Sequence, residues 1–447
     1  MNVIDGQAGQ IICASLIFYS LTVDNILNII VLLILAGVTL TMVLGENGLI
    51  NKAQSSVDKY KESANNEQAL LNNIKDYSEQ YGWQDKELPD NSPTIPAGTQ
   101  VKLPSQWPEQ IVTAVSDGKG NTFPLPKNFY YVGGDYTNGV IISDEEADAY
   151  DGILNKTTWE YTTNLEGNQF VWIPCNPGEY VKTSWGSSYV VGGYDSKIGT
   201  GADLMQIAKY GGFYVARYEA GLADTIKEYE GTQLSSGYNS PGYNVSGIPK
   251  SKAGALPWIF ISYTNMQNNA KNMYSNNEKY KDYVEGGVIN GTQWDVMLNK
   301  FIGTKNQSGL KFTLADITNS SKWGNHYDNS ISYTGRSATS YVSNSNWYIR
   351  PWSATKTNAS TGKYSYTEFT TGASKTAEAY HTYDVAGNVW EWTDEIGQSS
   401  QYRVMRGGGF LLDSSSYPAC YRWCNQFNYS TMWANVGFRM VLYIKLS

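Results

Sequence analysis

Short runs of apolar and aromatic residues, separated by Gly, Asn, Ser and Pro, constrain the fold of this chain more than any other feature. The clearest runs are residues 170–173, 212–217, 389–392, 403–405 and 437–443. Apolar runs of about four to eight residues that are bounded by turn formers are typical of strands. No repeat of about 20 to 50 residues accompanies them. The sequence therefore predicts a loop-rich α+β domain with small antiparallel sheets.

One short segment of this domain has a helical pattern instead. Trp294, Leu298 and Phe301 are spaced so that they share one face of a helix. Thr292 and Asp295 have the spacing of a capping box, with Asp in the position usually taken by Glu. We expect a helix that begins at Thr292.

The N-terminal part of the chain has a different character. Residues 26–44 are uncharged and almost entirely apolar. As a helix with a rise of about 1.5 Å per residue, they span a hydrocarbon core of about 30 Å. This pattern predicts a transmembrane helix. A cleavable secretory signal is the alternative, but such a signal begins with a basic region, and the first basic residue here is Lys52.

Two further segments separate this apolar run from the large domain. Residues 49–81 lack Pro and Gly and repeat apolar residues at three-, four- and seven-residue steps, which predicts an amphipathic helix. Five prolines then follow among polar residues, a composition typical of a linker or stalk. The predicted organisation is a helical segment over 1–82, a linker over 83–107, and one large domain over 108–447 with its core at 168–445.

The N-terminal segment resembles the first helix of type IV pilin-like surface proteins of low-GC Gram-positive bacteria. The resemblance rests on the sequence LLILAGVTLTMVLGENGLINKAQ at residues 32–54. In those proteins a membrane-spanning half continues into an amphipathic half that carries an exported domain. Their processing site is not readable in residues 19–24. The charges around the apolar run do not decide its orientation, so an extracellular head is implied by the resemblance alone.

Six motifs of the large domain follow one another in a specific order. They are FVWIP (170–174), GGFYVARYEAG (211–221), TQWD (292–295), YDVAGNVWEWT (383–393), RVMRGGGF (403–410) and GFR (437–439). Together they resemble the formylglycine-generating-enzyme-like domain, also called the sulfatase-modifying factor domain, over roughly residues 168–445. That domain is a version of the C-type lectin fold, which the resemblance implies for this chain.

Composition narrows the chemistry that the chain supports. Its 447 residues include only two His and four Cys, and the net charge is −8. Two histidines, His326 and His381, are too few for a His-rich metal centre. An acidic chain without a long basic run also lacks the electrostatic footprint of a nucleic-acid-binding protein. We expect no nucleic-acid partner.

A calcium site is one prediction for the motif at 383–393. Asp384 and Glu391 flank a Gly-Asn-Val turn, which can bring two carboxylates and backbone oxygens around a hard cation. The resemblance implies a structural calcium ion held by these two side chains and by the backbone oxygens of Gly387 and Val389. The alternative is that the neighbouring tryptophans belong to the core and that Glu391 bonds nearby backbone.

Oxidase members of the resembled family hold copper with two cysteines that follow the Gly-Gly segment. The matching positions here are Leu412 and Tyr417. Cys420 and Cys424 lie several positions later, and we interpret them as buried residues, a local disulfide or a redox pair. Cys175 is expected to be inert. The missing pair favours binding over catalysis.

The aromatic segment, residues 411–435, has the composition of a binding surface. Tyr and Trp supply contact area at a low entropy cost, and Ser and Asn supply adaptable hydrogen bonds. Similar aromatic- and Asn-rich stretches form the ligand-binding region of retroelement-diversified variable proteins. The alternative is that individual rings belong to the core. The candidate ligand-binding residues are Leu412, Asp413, Ser415, Tyr417, Tyr421, Trp423, Asn425, Phe427, Tyr429 and Trp433.

The sequence therefore predicts a membrane-anchored, adhesin-like protein whose extracellular head binds an external protein or glycan. Two alternatives remain at this point. One is an oxidase of the formylglycine-generating type that acts on a protein cysteine, and the other is a structural subunit of a pilin-like assembly.

Overall fold

The computed structural model describes residues 95–146, 167–186, 201–222, 233–235, 246–334, 338–342, 346–350, 353–356, 367–397, 402–423, 433 and 435–447. The predicted transmembrane and amphipathic helices lie outside these residues. Within the described ranges, no helix is long and apolar enough to cross a membrane. The chain divides into two units, Met1–Asp85 and Lys86–Ser447, and all that follows concerns the second.

The second unit contains short strands, numbered here along the chain. They are β1 (Val112–Ser116), β2 (Thr122–Pro126), β3 (Tyr130–Gly133), β4 (Val140–Ser143), β5 (Gln169–Pro174), β6 (Gly212–Ala216), β7 (Gln233–Ser235), β8 (Val284–Val288), β9 (Ile331–Thr334), β10 (Ala338–Val342), β11 (Asn346–Arg350), β12 (Ser353–Lys356), β13 (Thr367–Phe369), β14 (Glu378–Ala379), β15 (Thr382–Tyr383), β16 (Trp390–Ile396), β17 (Arg403–Arg406), β18 (Val436–Phe438) and β19 (Met440–Ile444). The described α-helices are α1 (Gly201–Tyr210), α2 (Tyr263–Ser275), α3 (Gly291–Phe301) and α4 (Leu314–Thr318).

The largest sheet has six antiparallel strands in the order β3-β4-β5-β6-β19-β8. Successive side chains of a strand point to opposite faces, and here both faces are buried. Trp172 and Tyr214 pair in register with their ring centroids 4.8 Å apart, and both belong to one core cluster. Val171 and Val215, also in register, belong to a second cluster on the other face. The apolar-aromatic runs of this sheet form strands because alternate side chains of a run point into the two core clusters.

A smaller sheet has the order β17-β16-β18 and carries the motifs near the C-terminus. β16 pairs antiparallel with β17 but parallel with β18. After β18 the chain passes directly into β19 of the large sheet, with Arg439 between the two strands. The remaining strands form short antiparallel pairings, β1-β2, β9-β12, β14-β15 and β13-β10-β11-β7. The prediction of an α+β domain with antiparallel sheets is confirmed, whereas the parallel pair was not foreseen.

Helix α3 confirms the predicted face and corrects the predicted start. Trp294, Leu298 and Phe301 are fully buried. The N-cap is Asn290, which forms the capping box with Gln293. The prediction of a helix starting at Thr292 was therefore wrong, because Asn290 and Gln293 satisfy the same spacing two residues earlier.

Part of the predicted linker packs against the folded unit. The backbone N–H of Gly98 donates to the carbonyl of Ser116, and that of Val101 donates to the carbonyl of Ala114. Trp107 is buried, and its Nε1 donates to the carbonyl oxygen of Lys209 at 2.8 Å. Residues 98–101 thus pair with the edge of β1 and Trp107 packs on the folded unit, so this part of the predicted linker does not form a free stalk.

Candidate ligand-binding site

Three consecutive glycines, 407–409, lead from β17 into the aromatic segment. Gly407 and Gly408 have φ angles of 92° and 76°, a region that residues with a Cβ rarely adopt. A Cβ on Gly408 would clash with the carbonyl oxygen of Tyr417 and lie 2.7 Å from Cε1 of His326. The glycines therefore let the chain turn and bring Tyr417 against this backbone.

Four rings then meet in what we call the ring cluster: Trp390, Tyr417, Tyr421 and Trp423. Trp390, the first residue of β16, is fully buried. The ring centroids of Tyr417, Tyr421 and Trp423 lie 5.9, 5.9 and 5.0 Å from that of Trp390, each in an edge-on arrangement. Such arrangements are favourable for aromatic pairs. The three outer rings are only half-buried, so the cluster presents aromatic surface on a rigid base.

Backbone contacts fix the two ends of the described aromatic segment. Trp423 and Met405 exchange two N–H···O bonds of 3.0 Å, which attaches the segment to β17. Trp433 is half-buried against the same core, and its carbonyl oxygen accepts from the N–H of Phe260 at 2.9 Å. Of the other predicted ligand-binding residues, Asn425, Phe427 and Tyr429 lie outside the described residues.

Leu412 and Asp413, the first two predicted ligand-binding residues, make hydrogen bonds to residues that are close in the sequence. The backbone N–H of Leu412 donates to the carbonyl of Gly409 at 3.0 Å. Oδ1 of Asp413 accepts from the hydroxyl of Ser415 at 2.9 Å and from the N–H of Ser416 at 2.7 Å. Partial burial raises the pKa of Asp413, but these hydrogen bonds outweigh burial and leave the pKa below its ordinary value. Asp413 therefore shapes the turn that precedes Tyr417.

Four buried charged residues, Asp295, Glu395, Arg406 and Arg422, and the partly exposed Lys182 form what we call the charged cluster. Arg406 contacts Asp295 at 2.5 Å and Glu395 at 3.3 Å. Arg422 pairs with the same two carboxylates, with its Nε 3.3 Å from Glu395. Lys182 adds a third contact to Glu395 at 3.1 Å. Because Arg422 lies between Tyr421 and Trp423 in the chain, these ion pairs anchor both rings.

The electrostatics of Glu395 follow from this arrangement. Burial raises the pKa of Glu395, but Arg406, Arg422 and Lys182 outweigh burial and hold the pKa below its ordinary value. The charged cluster was missed from the sequence, where Asp295 was interpreted as a capping residue. Its partners lie more than a hundred residues away along the chain, and no local pattern indicates them.

The predicted calcium residues surround the start of β16, where an arginine supplies positive charge. Arg439 donates from Nη2 to Oε1 of Glu391 at 2.6 Å and from Nε to Oε2 at 3.0 Å. Oδ2 of Asp384 accepts from the backbone N–H of Gly372 at 2.7 Å. With both oxygens of Glu391 bonded to a guanidinium, that carboxylate does not fit the role of a calcium ligand in this arrangement.

The other two predicted calcium ligands are the backbone oxygens of Gly387 and Val389, which lie between Asp384 and Glu391 in the chain. The N–H of Gly387 donates to the carbonyl of Gly407 at 2.8 Å, and that of Val389 donates to Oε1 of Glu219 at 3.2 Å. In the part of the chain that is described, no group of three or more His, Cys, Asp or Glu side chains could hold a metal ion. The calcium site stays a prediction.

Three buried carboxyls nevertheless share this region. Burial raises the pKa of Asp384 to about 7, with a smaller contribution from Glu391, against the lowering effect of the Gly372 N–H and of Arg439. Burial also raises the pKa of Glu219 well above its ordinary value, and Asp384 and Glu391 add to this. One guanidinium, that of Arg439, faces the three groups, so protonation of a carboxyl relieves the excess negative charge.

The described cysteines are buried free thiols. They are Cys175 and Cys420, and burial raises the pKa of each thiol to about 12. The reactive form of a cysteine is the thiolate, which both environments disfavour. Leu412 and Tyr417 occupy the positions that match the oxidase pair, and Cys424 lies outside the described residues.

A comparison with protein-family models finds a match in the C-terminal part of the chain. Residues 307–444 match the family model of the sulfatase-modifying factor enzyme 1-like domain. The match spans β16 to β19 and the aromatic segment, and it confirms the family resemblance for this part of the chain. No curated protein matches the sequence.

Solved structures that are similar to the chain include the following two. One is the crystal structure of CarF, with 14% sequence identity, 52% of this chain and 87% of that chain covered, and a TM-score of 0.28. The other is Treponema denticola variable protein 1, with 14% identity, 63% and 97% covered, and a TM-score of 0.28.

Proposed function

We propose that the aromatic segment is a ligand-binding surface and that the ring cluster is its rigid centre. The observation that carries this proposal is the set of three half-exposed rings that pack on the buried Trp390. Binding surfaces draw most of their affinity from a few aromatic and Arg residues in well-packed positions. Rings that are already ordered lose little further entropy when a ligand binds.

The proposed ligand is an external protein or a glycan. Flat rings suit both classes, because they stack against sugar C–H groups and against apolar side chains, and the Tyr hydroxyls accept or donate hydrogen bonds. Leu412, Asp413, Ser415 and Trp433 flank the rings in this proposal. The burial of Cys420 and the identities of Leu412 and Tyr417 favour this function over oxidation of a protein cysteine.

The test is a binding screen of the full-length protein against glycan and surface-protein arrays. A bound ligand is then measured against Tyr417→Ala and Trp423→Ala, and against the control Tyr130→Ala, which removes an exposed ring from β3. Loss of a central ring weakens binding about 30-fold, corresponding to about 2 kcal/mol, while the control has little effect. Equal affinity of all variants would contradict the proposal, as would the absence of any ligand.

We also propose that residues 26–44 anchor the chain in a membrane and that the head faces outward. Support comes from the sequence, namely the uncharged apolar run and its resemblance to pilin-like surface proteins. Brief protease treatment of intact host cells should release peptides of the large domain. Release only after cell lysis would contradict the outward orientation.

A further inference from the structure

The charges of the aromatic segment restrict the kind of ligand that suits the ring cluster. The segment contains two charged residues, Asp413 and Arg422. Arg422 is buried, and its guanidinium is bonded to Asp295 and Glu395 in the charged cluster. Its positive charge is therefore compensated inside the protein. Asp413 is half-buried, so the charge that this segment offers to a ligand is negative.

A second carboxylate lies beside Asp413. Asp328 is half-buried, and its Oδ1 and Oδ2 accept from the backbone N–H and the hydroxyl of Ser414, both at 2.9 Å. Ser414 follows Asp413 directly, so the two carboxylates lie at one turn of the chain. In the described part of the chain, neither carboxylate forms an ion pair. Their hydrogen-bond donors are neutral, so both negative charges remain uncompensated.

This turn adjoins the ring cluster. The N–H of Tyr417 donates to the carbonyl of Asp413 at 3.1 Å, and the N–H of Ser416 donates to Oδ1 of Asp413 at 2.7 Å. Burial raises the pKa of Asp413, but the hydrogen bonds from Ser416 and Ser415 hold it below its ordinary value, so this carboxyl is ionised at neutral pH. A carboxylate about 8 Å from a bound cation contributes about 0.5 kcal/mol even in water.

The rings themselves add to the preference for a cation. The face of a Trp or Tyr ring attracts a cationic group within about 6 Å, which is worth about 0.5–1 kcal/mol at an exposed site. The ring centroid of Tyr417 lies 5.0 Å from that of Tyr421 and 5.9 Å from that of Trp423. At these separations one ligand group can contact more than one half-buried ring. An anionic ligand is repelled by the two carboxylates, and a neutral sugar gains nothing from their charge.

We infer that the ring cluster receives a basic side chain, Lys or Arg, of a partner protein, with Asp413 and Asp328 beside its charge. This inference rests on the proposed function and selects a protein over a neutral glycan as the ligand. The methylene groups of the basic side chain pack on the rings, while its charged end remains close to the carboxylates.

The probe that tests the inference is the pentapeptide Gly-Lys-Gly-Lys-Gly, acetylated and amidated at its ends. It is compared with the same peptide in which both lysines are acetyl-lysine, which keeps the methylene groups and removes the charges. Saturation-transfer NMR with the full-length protein measures the affinity of each peptide. We expect the acetyl-lysine peptide to bind at least about tenfold more weakly. Equal affinity of the two peptides, or no binding of the lysine peptide, would overturn the inference.

A variant of one carboxylate assigns the effect to this turn. Asp413→Asn keeps the oxygen that accepts from Ser415 and Ser416 and removes the charge. We expect it to weaken binding of the lysine peptide by about two- to fivefold. The matched control is Asp282→Asn, which removes an exposed carboxylate outside the aromatic segment and should change the affinity by less than about 1.5-fold. Wild-type affinity in Asp413→Asn would count against the inference.

The same variants separate this inference from the proposed function. A ligand of the array screen that is lost in Trp423→Ala but binds equally to Asp413→Asn and the wild type would overturn the inference and leave the proposed function intact. A ligand that is weakened in both variants and unchanged in Asp282→Asn would support both. Indifference of every bound ligand to Tyr417→Ala and Trp423→Ala would contradict both.

Discussion

The replacement of Arg422 by Met tests whether the charged cluster anchors the ring cluster. The guanidinium of Arg422 pairs with Asp295 and with Glu395, and Nη2 also donates to the carbonyl oxygen of Thr183 at 3.2 Å. Met has a similar length and remains apolar, so the substitution removes these contacts without opening a large cavity.

The magnitude follows from the charges that remain. Removing one partner of a buried ion pair costs about 3–5 kcal/mol, because the other charge stays buried and uncompensated. After the loss of Arg422, the two carboxylates still face Arg406 and Lys182, so the cluster keeps one cation for each anion. We therefore expect a cost at the lower end of that range, about 3 kcal/mol.

The assay is urea unfolding of the full-length protein, followed by tryptophan fluorescence. The matched control is Lys281→Met, which removes a cation from an exposed pair with Glu278 and should change the free energy of unfolding by less than about 1 kcal/mol. Arg422→Lys should recover only part of the loss, since an ammonium lacks the planar fork. A loss below about 1 kcal/mol in Arg422→Met would refute the anchoring role.

Three other perturbations have defined outcomes. Burial raises the pKa of Glu378 from 4.5 to about 7, so the stability that its neutral form confers is present below pH 4.5 and is lost as the pH rises through about 7. We expect the free energy of unfolding of Glu378→Gln to fall less than that of the wild type as the pH rises through this window, by up to about 3 kcal/mol. If the two proteins show the same pH dependence of unfolding, the raised pKa of Glu378 is contradicted. Gly408→Ala should destabilise the protein by about 2–4 kcal/mol, because φ is positive and Tyr417 occupies the space of a Cβ; a thermal melt equal to that of the wild type would argue against this. Glu391→Gln should cost about 1.5–3 kcal/mol, because a charged partner of Arg439 is lost while Asp384 and Glu219 still face its guanidinium; a calcium-dependent rise in the wild-type melting temperature would show instead that a metal ion shares this site.

The sequence was informative where neighbouring residues decide the structure. The run FVWI at 170–173 becomes the centre of β5 because alternate side chains meet two cores. The aromatic segment was identified from its composition, and three of its predicted residues, Tyr417, Tyr421 and Trp423, do come together.

Features that depend on distant partners were not visible in the sequence. Trp390 was interpreted as a possible core residue, but nothing in its surroundings showed that it would support three rings from a segment that follows it in the chain. Asp295 and Arg422 are likewise 127 residues apart. The parallel pairing of β16 with β18 also requires a long connection whose return path no local pattern encodes.

Oxidative footprinting of the full-length protein tests the central claim most directly. Hydroxyl radicals label exposed Tyr and Trp side chains, and mass spectrometry reports the extent of labelling at Tyr417, Tyr421 and Trp423 with and without a ligand from the array screen. The proposed function predicts that the ligand protects these three rings while labelling of Tyr130, on β3, is unchanged. Full occupancy by the ligand with undiminished labelling of all three rings would contradict it.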